Sequence, residues 1–441
     1  MHRFTTLSIA IRGLLLTGAS LCTLPAFAGY DVISSDETRL TFNLDAVAAS
    51  FQGEDSWFGE SKSFNGEPTN SWGEFGVEPR LTLETGLGGG TLFGQLSTVY
   101  TATHSDDASG LTIGTGDSED LNLEQSHVGW KTGQWLDGYT TSFSMGRQDY
   151  QIGSGMLIAD GTSDGGGEYG GWYIDMRKAF IETGIARIEG KGLLLEGFRI
   201  EYRPRRGGTR AHADGGNAEY TFFETTRLGA TYLVVDAQTP GVDDLQVWDG
   251  RLDWNGKGAL EGFGLRGEYA HEDSKQIEAD GWFAEASYQA KELCWTPTFS
   301  YRYAHFDGDD PATAKDEQFQ EIAYGFDDYG TWFQGEITGN YPLANGNLDS
   351  HRLRVKLQPG ARVTLNVMYY DFTLDQEQIR GDPVRSDDWG QEIDFTVDWA
   401  VTDSVAVIGV LGNLMPGDAA KQWTGGDKDW LYSMIYVSYG Y

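Results

Sequence analysis

The sequence predicts an all-β fold: one transmembrane antiparallel β-barrel of about 18 strands (16–18), behind a cleaved leader. Three observations predict it. Apolar and polar residues alternate with period two along repeated segments of roughly 8–14 residues, and Gly, Asp, Asn and Pro clusters separate those segments. No run of about 18 apolar residues offers a membrane helix. Aromatics make up 13% of the chain and glycine contributes 60 residues, which suits strands and tight turns better than helices. The hydrophilic mean hydropathy is compatible with a membrane barrel, because only alternate residues meet lipid.

The N-terminus comes first. Arg3 and Arg12 precede and open an apolar stretch from Leu14 to Leu24, and Pro25-Ala26-Phe27-Ala28 places small residues three and one positions before a cut. That is the layout of a secretory signal peptide, with residues 1–28 removed and 29–441 forming the barrel. The stretch is short for a membrane anchor, and Leu21 stands where a lipoprotein Cys22 would need a small residue before it. Once the leader is gone Cys294 is the one remaining cysteine, so no internal disulfide is expected.

The formal net charge of -34 excludes nucleic acid as a partner. Much of the acidity sits in Gly/Asp stretches such as Ser105-Asp106-Asp107, Gly116–Asp120 and Asp307-Gly308-Asp309-Asp310. These read as extracellular loops, either simply solubilising or bridged by divalent cations at the cell surface.

Strands follow from about residue 38. Leu40, Phe42 and Leu44 alternate with Thr41, Asn43 and Asp45; Phe75, Val77, Leu81 and Leu83 alternate with Glu74, Glu78, Arg80, Thr82 and Glu84. The rows Leu228–Val234, Trp248–Trp254, Leu353–Leu357, Val363–Tyr369 and Ile393–Trp399 repeat the pattern. The apolar face of each must meet hydrocarbon, or a core if the protein were soluble, and the charged face must meet water. Trp72, Trp130, Trp295, Trp332 and Trp399 fall near strand ends, as an interfacial girdle requires. The chain closes on Ile435, Val437, Tyr439 and Tyr441, an alternating strand with a terminal aromatic. The stretch Gly153–Gly171 is glycine-rich and not strand-like, and reads equally as an inward-folded or an external loop.

A barrel of this size leaves an open lumen unless something plugs it. No catalytic or cofactor motif is present. The seven histidines show no HExxH spacing, Gly153-Ser154-Gly155 is not a nucleophile elbow, and the Asp307 run lacks the closing Glu of a calcium loop.

Two stretches carry a family resemblance. Ser144-Met145-Gly146-Arg147-Gln148-Asp149 resembles the Gly-Arg-Gln strand end of the alginate-export family of outer-membrane proteins. Tyr369–Gln376, Gly390–Phe395, Met415–Ala420 and the last aromatic strand resemble the C-terminal part of that family's domain in order and spacing, while residues 155–340 carry no matching motif. The resemblance implies a monomeric barrel of the Gram-negative outer membrane with a narrow arginine-lined lumen that passes an anionic polysaccharide. Its partners would be membrane lipids, lipopolysaccharide and the barrel-assembly machinery. One departure is that this chain is arginine-poor and very acidic, which argues against alginate itself.

Passive passage needs a water-filled path, a size limit and lumenal charge. Arg352, Arg354 and Lys356 share the face opposite Leu353, Val355 and Leu357; on the lipid side each would cost about 2–4 kcal/mol, so the lumen is expected. Guanidinium groups suit carboxylate-bearing sugars. Arg362 follows, at or near a turn, and Glu392, Asp394 and Asp398 are placed to pair with the basic row. Arg147 and, by parity, Arg199, Arg227, Arg251, Arg266 and Arg302 are further inward candidates, as substrate contacts or as wall-bracing ladders. Tyr370 and Tyr436 could stack on a sugar or belong to a girdle. The expected function is passage of an anionic saccharide or small anionic solutes; the alternatives are a general small-solute porin and a closed barrel with an adhesive surface.

Overall fold

The computed structural model describes residues 29–60, 70–104, 117–133, 137–162, 170–203, 210–238, 241–326 and 333–441. The expected leader, the acidic run at 105–107, Gly116 and Trp332 lie outside them.

The described chain forms strands β1 (Tyr30–Ser34), β2 (Thr38–Glu54), β3 (Asn70–Leu87), β4 (Gly90–His104), β5 (Ser118–Thr132), β6 (Thr140–Gln148), β7 (Phe180–Gly190) and β8 (Leu193–Tyr202). There follow β9 (Ala211–Phe222), β10 (Thr226–Ala237), β11 (Leu245–Asn255), β12 (Phe263–Asp273), β13 (Glu278–Gln289), β14 (Thr298–Phe306), β15 (Leu348–Gly360) and β16 (Val363–Thr373). A small hairpin, β17 (Gln378–Ile379) and β18 (Asp382–Pro383), precedes β19 (Asp388–Ala400), β20 (Val405–Pro416), the short helix α1 (Asp418–Thr424) and β21 (Trp430–Gly440).

β2–β16 and β19–β21 pair antiparallel in chain order, and β21 returns to β2 through Asp45↔Gly440 to Glu54↔Leu431. That makes 18 strands and no free edge, the one way a sheet can satisfy its backbone in lipid. Tyr441 and Leu44 exchange both backbone hydrogen bonds, at 3.0 Å each, and β1 pairs with the lower half of β2 beyond the end of β21.

Alternation divides the wall. Leu353, Leu411 and Ile435 point outward and are 56%, 58% and 61% exposed, with Val367, Ile393, Phe395 and Val437 beside them. A band this apolar is far beyond what a water-facing surface carries. Tight turns at 88–89, 191–192 and 361–362 share one rim, and the long connections, up to 307–347, share the other. By that asymmetry the tight turns face the periplasm. Outward Trp130, Trp295 and Trp399 lie toward the tight-turn rim, as a girdle. Trp72 does not join them. It lies on the inward face of β3, buried, stacked on Phe51 at 4.8 Å and donating to Glu74 at 3.0 Å. Even-numbered residues of β3 point inward, which position near a strand end alone does not reveal.

Described parts of two connections fold into the lumen: 150–162 and 170–179, from the connection that contains the stretch whose direction the sequence leaves open, and 319–326 and 333–347. Met156, Ile158, Ile322, Ala323, Phe333 and Ile337 are almost fully buried there. The two segments meet in a parallel bridge, Ile158↔Ala323, with Ala159 N donating to Ala323 O at 2.7 Å and Ala323 N to Leu157 O at 2.9 Å.

The first segment departs from β6 through a bulge. Gly146 has φ 117°, a region that favours glycine, and the β6–β7 register shifts between Gly146 and Gln148. Phe143 and Met145 are exposed on the outer face, yet Arg147 reaches Thr162 of the inserted segment at 3.1 Å. A Cβ at 146 would run into the Ser126 carbonyl oxygen. Gly146→Val is expected to destabilise the barrel by about 1–3 kcal/mol, read as a lower urea midpoint in detergent; an unchanged midpoint would contradict the strained-bulge account.

Candidate functional site

The lumen wall is organised by register. Inward residues of eight strands form one cross-strand row: Arg227↔Asp253↔Arg266↔Glu285↔Arg302↔Arg352↔Tyr370↔Glu392. Charges alternate along its first five positions, as cross-strand pairs prefer. Asp253 takes Arg227 at 3.1 Å and Arg266 at 2.9 Å, and Glu285 takes Arg352 at 2.8 Å. Arg352 also donates to Ser300 at 3.2 Å. Arg302 donates to the Phe333 carbonyl and lies over that ring at 3.6 Å, a cation–π contact in a dry setting. Arg302 and Arg352 have no solvent exposure.

A second cluster lies one step along. Arg251 binds Asp249 and Asn217, donates to Thr231 at 2.8 Å and reaches Glu219 at 3.4 Å. Arg187 and Asn217 both donate to Glu196, at 2.8 Å each. Arg354 makes a two-pronged contact to Asn366 Oδ1 at 3.0 and 2.7 Å, and Asn366 passes the chain on to Thr396 at 2.9 Å. Lys356 sits half-buried on the same face.

Other candidates lie elsewhere. Arg362 is in the tight turn between β15 and β16, exposed, bound to Asp403 of the neighbouring turn at 2.6 Å; it is not on the lumen wall. Arg199 is on the outer face, exposed, paired with Asp214 at 2.9 Å, because even residues of β8 point inward and 199 is odd. Arg147 does reach the lumen side, on Glu124 and Thr162.

Glu392 and Asp394 do not pair with the basic row. Glu392 accepts the backbone N–H groups of Ile337 at 2.7 Å and Thr338 at 2.9 Å, and Asp394 that of Glu336 at 3.1 Å. The same motif recurs around the barrel. Glu74 accepts from Trp172 N and Tyr173 N at 2.9 Å each, Glu124 from Ala179 N at 2.7 Å, and Glu272 from Gln320 N at 2.8 Å. Glu268 accepts from the Ser154 hydroxyl. A chain without regular structure brings N–H groups into the lumen that no ladder satisfies, and a carboxylate is a strong acceptor for them. These anchors were not legible in the sequence: parity marks Glu74 as inward, but nothing local says what it will meet.

One described grouping has donors for a metal ion: His305, Asp349 and Asp375, with ligand atoms within 4.8 Å of one another, on the outer wall near the long-loop rim. Both imidazole nitrogens are already engaged, with Asp349 at 2.6 Å and Asp307 at 2.8 Å, so the group is accounted for as a pair of ion contacts.

Water-reachable lumen is found away from the buried Arg302 and Arg352. A cavity of about 220 Å³ opens between β2, β3, β5, β21 and the inserted residues 175–178, lined by Asp45, Glu78, Arg80, Asp149, Asp175 and Lys178 among others.

The alginate export family matches residues 201–431. No curated protein matches by sequence. Solved structures of the same shape include OpdK of Pseudomonas aeruginosa with vanillate, 13% identical over 91% of this chain and 98% of that chain with a TM-score of 0.57. OpdD of Pseudomonas aeruginosa is 13% identical over 92% and 99%, TM-score 0.56, and OpdQ of the same organism is 11% identical over 92% and 99%, TM-score 0.56. At such identities the likeness shows the fold, a closed outer-membrane barrel.

Glu392→Ala removes the acceptor for two buried N–H groups. It is expected to lower barrel stability by about 1–3 kcal/mol and to open the 333–347 segment to limited proteolysis; a variant as stable and as resistant as the parent would contradict the anchoring role.

Proposed function

The chain belongs to the alginate export family and lies in the outer membrane as a closed barrel, and from that premise we propose that it is a passive channel for small polar solutes. The observation that carries this reading is the charged, water-reachable cavity left beside β2, β3 and β5, while inserted chain covers Arg302 and Arg352 elsewhere on the wall. Passage through such a path needs only water, width and lumenal charge. Residues 1–28, as a leader, would supply the export route to the periplasm, and the barrel would work as a monomer.

The finer expectation, an anionic oligo- or polysaccharide, draws on the family and on the arginine row. Geometry supports the small-solute reading better. Arg302 and Arg352 are buried, with Phe333 over Arg302, so a polyuronate would reach them only after the 333–347 segment moved. The arginines are also bound to Glu285, Ser300 and the Phe333 carbonyl, which suits a brace of the wall.

In planar bilayers the purified protein is expected to give discrete conductance steps. Replacing residues 312–345 by a short Gly/Ser linker is expected to raise the step size by about twofold or more and to admit larger sugars in liposome swelling. Steps of unchanged size would contradict the role given to the insert, and a barrel that never conducts would favour a closed surface protein.

A further inference from the structure

We infer that the open side of the lumen is a cation-favouring filter, and that Asp149 and Asp175 set the preference. The inference rests on the channel reading and names the solute class: small cations, inorganic or ammonium-bearing.

The charge of the lumen is distributed unequally with respect to water. Cations of the arginine row that stand at the insert, Arg302 and Arg352, have no exposed surface. A fixed charge that permeating ions cannot approach contributes little to selectivity, and Arg352 is also held by Glu285 at 2.8 Å. Arg227 and Arg266, at 31% and 19%, keep some exposure but share Asp253. The opposite wall differs. At the cavity Asp175 is 55% exposed and Asp45 31%, and Asp149 is exposed.

Pairing does not cancel this acidity. Arg80 serves both Asp45 and, at 3.5 Å, Glu78. Lys178 holds Asp175 at 2.6 Å. Glu124 is taken by Arg147 at 3.5 Å and by the Ala179 N–H. The cavity therefore carries five carboxylates, counting Asp149, against Arg80 and Lys178 in its lining and Arg147 behind it. Carboxylates outnumber cations by two even with Arg147 included. Low-dielectric walls focus the field of such an excess onto the water path and raise the local concentration of cations.

The position is fixed by the fold. Tyr436 donates to the Ile174 carbonyl at 3.1 Å and Glu74 holds the N–H groups of Trp172 and Tyr173, so the segment bearing Asp175 is pinned against β21 and β3. Asp149 follows the Gly146 bulge directly. Neither aspartate accepts a backbone anchor bond of the kind Glu74, Glu124 and Glu392 make, so their amides should preserve the barrel.

The experiment is the zero-current potential of single channels in a tenfold KCl gradient, for the parent and for the Asp149→Asn, Asp175→Asn double variant, with heat-modified gel mobility as the folding check. The parent is expected to favour K+ over Cl− by at least about twofold, and the double variant to bring the ratio to about one or below. Lysine should then enter protein-loaded liposomes faster than glutamate of similar size. Steps that favour Cl−, or a K+ preference that the double variant leaves unchanged, would overturn the filter while leaving the channel intact. Folded protein without steps would remove the channel reading itself, and the filter with it.

Discussion

Carboxylates on the inner wall that accept backbone N–H groups from inserted chain are the interaction on which this structure depends. A barrel of 18 strands encloses far more space than its own side chains fill. Two connections enter that space, and each arrives with amides that neither ladder nor bulk water satisfies. Glu74 and Glu124 meet them from β3 and β5, Glu272 from β12 across the barrel, and Glu392 and Asp394 from β19. Each bond sits where water competes little. Part of the strong acidity of the chain is thereby explained as internal scaffolding and not as surface decoration.

The arrangement has a price in lumen width and a consequence for charge. With 333–347 fixed against β14–β20, the arginine row beneath it turns inward upon Glu285, Ser300 and Phe333. Removing one partner of such a buried pair costs about 3–5 kcal/mol, so the row is firmly held whatever it does for transport. Water reaches the side of the lumen where β2, β3 and β5 face residues 149 and 175–178, and there aspartates outnumber cations. The family resemblance implies an electropositive bore; in this chain part of that positive charge, Arg302 and Arg352, is covered.

The barrel was legible because period two is local. Leu353 and Arg352 occupy opposite faces whatever the rest of the chain does, and strand count follows from length. The closing strand was legible from Ile435, Val437, Tyr439 and Tyr441 for the same reason. What failed depended on geometry beyond one strand. Parity counted without a fixed anchor puts Arg199 inward, whereas β8 runs even-inward and Arg199 faces out. Position near a strand end suggests a girdle for Trp72, though its parity is that of inward Glu74. Arg362 belongs to a two-residue turn, where alternation carries no direction. Sequence pairs Glu392 and Asp394 with arginines two strands away, since nothing in their neighbourhood announces residues 336–338 arriving across the lumen. The direction of Gly153–Gly171 was undecidable from composition, because glycine-rich chain is equally at home inside and outside.

The central claim is that the inserted segments are held as firmly as the wall. Amide hydrogen exchange on the detergent-folded protein, resolved to residues 157–159, 172–179 and 336–338, tests it most directly. Protection comparable to that of flanking strands is the result this account predicts. Exchange at the rate of an open loop in all three stretches would contradict it.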